Sequence, residues 1–166
     1  MTIGDVNSDE KGSGARYNDG KPPMELVPLR LVANSFLESV GIAGASEQFS
    51  GDVEALCSVG RFQEGGDADD LLAAIYHLGY PWIECAEVFG YGRKKYASWN
   101  WAKGMDWSVP LGCIGRHWLK MINGEDLDSE SGLSHRGHIL CNIVMLLTFI
   151  DTYPEGDDRP TKWFTK

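Results

Sequence analysis

The sequence predicts an all-α fold, a helix bundle with long irregular connections and few or no strands. Three observations carry that expectation. Apolar residues recur at helical spacing in several stretches, helix-stop chemistry follows them at Gly79 and Asn123-Gly124, and no segment alternates as a half-buried strand does.

Residues 1 to 15 are rich in Gly, Ser and Asp and read as a flexible N-terminal segment. Arg16-Tyr17-Asn18-Asp19-Gly20-Lys21-Pro22-Pro23 is turn chemistry: Asn and Asp bond their own backbone, Gly takes positive φ and Pro fixes the exit. A first helix is expected over Glu25 to Val40. From Gly41 to Gly66 glycines punctuate the pattern, which predicts a loop with a short helix near Val53 to Phe62. Asp67 is placed to cap the next helix, which Gly79 ends. Pro81 suits the first turn of a helix from Trp82 to about Tyr96. Ser108 is placed to cap a helix that stops at Asn123-Gly124, and a last, very apolar helix begins near Ser134 and runs through Ile150. Residues 16 to 152 thus read as one helical domain, followed by a polar tail from 153 to 166.

The chain has 166 residues, enough for one sizeable core, and its 15 basic against 24 acidic residues give a formal charge of −9. Such a balance argues against duplex nucleic acid as a partner, because phosphate neutralisation needs clustered Lys and Arg. Small phosphate esters stay open, since carboxylate-held divalent cations can meet them. No apolar run approaches the roughly 18 residues of a membrane span, and Met1 to Gly14 has no signal-peptide core, so the expectation is no membrane and the cytoplasm. Cys57, Cys85, Cys113 and Cys141 lie 28 residues apart, but their flanks share only apolar neighbours and no Cys-x-x-Cys pair occurs; buried thiols are expected.

The chemistry-bearing residues concentrate late in the chain. His135, His138 and Asn142 stand at i, i+3 and i+7 on one face of the last helix, whose other faces are apolar, so the polar stripe must find partners inside. Just before it, Gly124-Glu125-Asp126-Leu127-Asp128-Ser129-Glu130-Ser131-Gly132 places four carboxylates in six residues between His117 and the His135/His138 pair. That loop reads equally well as solvated or as a source of oxygen ligands for a hard cation. Spacing alone favours a solvent-facing pair for Glu84 and Glu87, although carboxylates one turn apart also bridge cations in helical sites. From Glu87 to Trp107, Arg93, Lys94 and Lys95 lie among aromatics, a composition that suits phosphate contact and base stacking as well as plugs beneath a loop.

These residues also carry a resemblance. Arg16-Tyr-Asn-Asp-Gly-Lys-Pro, Glu87-Val-x-x-Tyr91-Gly-x-x-Lys95-Tyr96 with Asn100-Trp101, Arg116-His117, the 124–132 acidic run and His135-x-x-His138-x-x-x-Asn142 resemble the N-terminal domain of phage dATP/dGTP diphosphohydrolases. The likeness covers 16 to 33 and 84 to 150, and makes about 34 to 80 an insertion. It implies hydrolysis of a purine deoxynucleoside triphosphate at the α–β bond, and kinship with the all-α pyrophosphatases of the MazG type, which use Mg²⁺ on acidic residues. Under that resemblance Glu84, Glu87, Glu125 and Asp128 would hold the metal. His117, His135 and His138 would be ligands, orienting groups or a general base, and Glu125 would be essential for turnover. Lys94, Lys95 and Arg116 would neutralise phosphates, with Asn100, Trp101 and Asn142 contacting base or sugar. Where that type has an acidic Glu-x-x-Asp, this chain has His135-x-x-His138, which makes Mn²⁺ as plausible as Mg²⁺.

Two other readings compete. A His/Asp phosphohydrolase would need adjacent His-Asp ligands, and no such dipeptide occurs. A non-catalytic phage adaptor or host-factor-binding module would use the Trp-rich segment as its contact surface. Six tryptophans in so short a bundle further predict a homo-oligomer, and a phage-encoded protein would act in the host cytoplasm.

Overall fold

The computed structural model describes residues 2–43 and 50–165, and the fold it shows is all-α. Its α-helices among those residues are α1 (Leu29–Ala43), α2 (Ser50–Gln63), α3 (Ala68–His77), α4 (Trp82–Lys95), α5 (Ser108–Ile122) and α6 (His135–Thr152). Short 3-10 turns stand at Met24–Leu26, Asn100–Lys103, Pro154–Gly156 and Thr161–Trp163. Two-residue strands β1 (Thr2–Ile3) and β2 (Arg16–Tyr17) pair antiparallel.

The apolar run of α6 becomes the centre of the bundle. It packs against α3, α4 and α5, and ten of its residues are buried, from His135 to Phe149. Ser134 caps it by accepting the Gly137 N–H at 3.2 Å. Gly137 sits where α4 crosses closely: a Cβ there would stand 2.7 Å from the carbonyl oxygen of Glu84.

Several boundaries differ from expectation for identifiable reasons. The first helix is split, because Val27 precedes Pro28 and takes an extended backbone (φ −104°, ψ 132°), leaving a 3-10 turn before α1. The glycine-punctuated stretch holds a fourteen-residue helix, α2, while 44–49 of the expected loop lies outside the described residues. Gly60 belongs inside α2 because a Cβ would stand 2.3 Å from the Arg30 backbone nitrogen of α1, so it marks a helix crossing rather than a break. Ser108 does not cap α5: its N–H and hydroxyl both go to Asp158, in the C-terminal tail.

The segment read as an insertion is part of the core. Val53, Leu56, Val59, Phe62, Leu71 and Ile75 are buried in the same cluster as Trp118, Ile139 and Leu146. Buried Asp52 ties α2 to α6 and α5, accepting two bonds from Arg136 (3.1 and 2.8 Å) while its carbonyl takes the Trp118 indole N–H at 2.8 Å. The N-terminal segment, expected to be flexible, is strapped down: Gly12 and Gly14 donate to the carbonyls of Lys103 and Gly104, and Lys103 Nζ reaches three carbonyls of residues 5 to 8. The polar tail is docked too, with the Arg159 guanidinium 4.3 Å from the Phe62 ring centroid and bonded to the carbonyls of Phe62 and Gly66. All four cysteines are free and buried.

Candidate active site

The α5–α6 pair and the acidic connection between them build the site. His117 comes from the middle of α5, and His135 and His138 from the first turn of α6. The connection is folded rather than loose: the Asp128 N–H donates to the Leu133 carbonyl (2.8 Å), the Gly132 N–H to the Asp128 carbonyl (2.7 Å), and Leu127 bridges Ser134. This turn buries the Asp128 side chain, leaving Asp128 only 4% exposed, and aims it at the histidines.

His117 Nδ1 lies 3.1 Å from His135 Nδ1 and 3.9 Å from Asp128 Oδ1. Among the described residues, His117, Asp128 and His135 offer three ligand atoms within 4.8 Å of one another. Two imidazole nitrogens bound at ~2.0–2.1 Å to one ion stand roughly 3 Å apart, so the 3.1 Å separation suits a shared cation. His135 Nε2, on the far side of the ring, lacks a hydrogen-bond partner and lies 3.4 Å from Glu125 Oε1. A carboxylate behind a ligating imidazole is the arrangement that fixes ring orientation and raises basicity. His138 stacks on His117, and its Nε2 lies 2.7 Å from Ser131 Oγ.

The electrostatics keep these rings ready to donate lone pairs. Burial pushes His117 down to about 2, His138 and His135 adding to the effect and Asp128 opposing it. Burial likewise lowers His138 to about 4, with Asp128 opposing, and lowers His135. Burial alone would raise Asp128, but the hydrogen bonds from the Ser131 N–H and hydroxyl hold it well below the usual carboxylate range. Three neutral imidazoles and one ionised carboxylate at neutral pH form a nitrogen–oxygen donor set that fits a first-row divalent ion better than it fits Mg²⁺, which prefers oxygen throughout.

The cluster opens onto a cavity of about 720 Å³, within the range of small-molecule sites. Arg16, Lys21, Arg93, Lys95, Arg116 and Lys120 line it, against the carboxylates of Asp128 and Glu130. Six of the fifteen cations of an acidic chain therefore face one cavity. Aromatic side chains share the lining with these cations: Tyr17, Phe89, Tyr91, Tyr96, Trp99 and Trp101, with Lys95 Nζ 5.5 to 6.0 Å from the ring centroids of Tyr17, Tyr91 and Tyr96.

Of the residues singled out from sequence, His117, His138, Lys95, Asn100, Trp101, Arg116, Asp128 and Asn142 line the cavity, with His135 and Glu125 behind. Glu84, Glu87 and Lys94 do not line it. Glu84 lies beside Gly137 on the α4–α6 crossing, and Glu87 and Lys94 are exposed on other faces of α4. Two amides also serve the fold. Buried Asn100 clamps the Ala15 backbone through both its oxygen (3.0 Å) and nitrogen (2.9 Å), and Asn142 accepts from Arg16 while donating to the His138 carbonyl. Arg116 holds Asn18 Oδ1 (3.0 Å) and the Pro22 carbonyl (2.9 Å), fixing the turn that presents Lys21.

Sequence reasoning missed Arg16, Lys21, Lys120 and Ser131 as site residues. Lys120 had a signal, being one turn from His117 on α5. Arg16 and Lys21 sat in a segment read as turn chemistry, and tertiary bonds from Ala15 and Tyr17 to Asn100 and Tyr96, with Arg116 on Asn18 and Pro22, bring them to the cavity.

Fold and site together define a helical domain built around an imidazole–carboxylate cluster at the base of a cation-lined pocket. The chain belongs to the family described as dATP/dGTP diphosphohydrolase, N-terminal, whose sequence profile matches residues 71–159. That match includes His117, Asp128, His135 and His138; it begins within the segment read as an insertion and leaves out Arg16 to Pro22. A dATP/dGTP diphosphohydrolase of Salmonella phage PMBT28 is 32% identical over 76 residues, 46% of this chain. The aligned part is 26% of that relative, so the chain spans about a quarter of its length. No solved structure matches the chain. No helix among the described residues is long and apolar enough to cross a membrane.

Proposed function

We propose that this domain hydrolyses purine deoxynucleoside triphosphates to the monophosphate and pyrophosphate, using a divalent ion held by His117, Asp128 and His135. The observation that carries the reading is the concentration of six cations around a cavity whose base is this donor cluster. A triphosphate is the small ligand whose charge matches such a wall, and the family supplies the nucleotide class. A divalent ion at this position supplies a lowered pKa for water and charge neutralisation at phosphate oxygens.

The chain's own groups do the rest. Lys21 and Lys95 lie 3.5 and 2.7 Å from Glu130, which holds both ammonium groups at the cavity for the β- and γ-phosphates. Lys120 Nζ stands 3.3 Å from Asp128 Oδ1, next to the cluster, where it meets the α-phosphate. Water attacks the α-phosphorus, a new P–O bond forms, and the α–β bridge breaks. Pyrophosphate leaves with the bridging oxygen, its charge offset by the same cations. Glu125 orients His135, and Ser131 orients His138 against the His117 ring.

The test is a product assay. Purified protein is incubated with each common NTP and dNTP, with Mg²⁺, Mn²⁺, Zn²⁺ or chelator, and products are resolved by ion exchange. The proposal expects ion-dependent release of pyrophosphate from dATP or dGTP. Release of whole triphosphate would replace the reaction, and no turnover with any ion would return the adaptor reading.

Self-association is proposed with it. Leu72 and Tyr76 are exposed one turn apart on α3, Tyr76 touches Tyr80, and Trp82 and Ile83 continue the exposed apolar surface. Light scattering of the wild type and of Ile83→Glu checks it, with a dimer or larger in the first and a smaller species in the second.

A further inference from the structure

Trp99 is an aromatic residue held in an expensive way with little packing return, its one ring contact among the described residues being with Trp101. Its backbone is left-handed (φ 61°, ψ 12°), a region that residues with a Cβ seldom adopt, and 72% of its surface is exposed. The left-handed backbone costs stability and the exposed indole returns little of it through burial, so its place asks for a role outside the fold. The surroundings hold the residue there. Asn100, next in sequence, is buried and doubly bonded to Ala15, and Gly104 closes the turn by accepting from Gly14. Trp101 lies 5.9 Å from the Trp99 ring and packs on Phe89 and Phe149, so it backs the indole from the core side. Trp99 lines the same cavity as the phosphate-facing cations and the histidine cluster.

We infer that Trp99 is the stacking platform for the nucleobase, presented by its left-handed turn at the cavity wall and buttressed by Trp101. The inference deepens the proposed function and rests on it, since it needs the triphosphate to lie toward Lys95 and Lys120. The fused rings of the indole match those of a purine in area. Stacking reads a π-face rather than a hydrogen-bond pattern, so this contact accepts both adenine and guanine.

The test uses two ligands and two variants. A dATP with a methylene group in place of the α–β bridging oxygen carries base, sugar and phosphates; inorganic tripolyphosphate carries the phosphates alone. Both are titrated calorimetrically into wild type, Trp99→Gly and Trp99→Phe, and the melting temperatures of the three proteins are recorded. The expected result is about a tenfold or greater loss of affinity for the dATP analogue in Trp99→Gly. Trp99→Phe should give an intermediate loss, tripolyphosphate affinity should not change, and the melting temperature of Trp99→Gly should be no lower than wild type. Unchanged affinity for the analogue in Trp99→Gly overturns the platform and leaves the active-site reading standing. Equal loss of both ligands also overturns it, because Trp99 would then be supporting the whole cavity. Failure of wild type to bind either ligand overturns the active-site reading itself.

Discussion

The ring of His138 lies flat on that of His117, with centroids 4.1 Å apart and 9° between the planes. Two protonated imidazoles could not stack this closely away from water, and burial lowers both rings, which favours the neutral pair. His138 is lowered to about 4 by burial, whereas an unfolded chain would protonate it near 6.5.

The sign of the resulting pH dependence follows. Below about pH 6.5 the unfolded chain gains a proton that the folded His138 refuses, so stability falls as pH drops and continues to fall until about pH 4. For ion-free protein, the loss from His138 alone is ~3 kcal/mol across that window. Urea midpoints at pH 7.5, 5.5 and 4.5 check it, and His138→Gln should reduce the dependence without abolishing it, because His117 and His135 are lowered as well. A wild-type midpoint unchanged down to pH 4.5 would contradict the buried neutral pair.

Adjacent lysines on α4 should behave differently. Lys95 faces the cavity and Glu130, whereas Lys94 is exposed and does not line it. Lys95→Met is expected to weaken triphosphate binding by about tenfold or more, and Lys94→Met to leave it within about twofold. Equal effects of the two would remove the orientation of α4 from the account.

Asp52 is the tether between the 34–80 segment and the site-bearing helices. It is 3% exposed and bonded to Arg136, one residue from His135. Asp52→Ala is expected to lower stability by about 2 kcal/mol, a value discounted from a fully buried pair because Arg136 is half exposed. Chemical denaturation measures this. A change within about 0.5 kcal/mol would mean that α2 is held by apolar packing alone.

The α4–α6 crossing makes a fourth prediction. At Gly137 a Cβ would meet Glu84 backbone and side chain at 2.7 to 2.9 Å, so Gly137→Ala should destabilise by about 1–3 kcal/mol despite the better helix propensity of alanine. A stabilised variant would show that the helices part without cost.

Much of this fold was legible in the sequence, because long periodic stretches with good stop signals leave little choice. α3, α4, α5 and α6 stand within two or three residues of their expected bounds. α2 was legible as a short helix near Val53 to Phe62 but not to its full length, because Gly51 and Gly60 look like breakers, when each marks a place where backbone from another element comes too close for a Cβ. The site was half legible. The histidines and Asp128 share a short stretch of chain, so helical spacing and loop position bring them together. Glu84 and Glu87 lie outside the cavity; spacing shows that two carboxylates share a face but not which face turns toward the histidines. Arg16 and Lys21 reach the cavity through bonds from Tyr17 to Tyr96 and from Ala15 to Asn100, some eighty residues away, and no local pattern reports such a contact.

An ion held among His117, Asp128 and His135 makes turnover of dATP and dGTP depend on these side chains, and ion-dependent turnover in paired variants measures that dependence. Asp128→Asn removes one ligand charge from the cluster, while the double variant Glu84→Gln/Glu87→Gln alters the helical carboxylate pair outside the cavity. Asp128→Asn is expected to lose at least about a hundredfold in rate while the double variant stays within about threefold of wild type. The reverse pattern, with Asp128→Asn active and the double variant dead, would contradict it and move the ion to the α4 carboxylates.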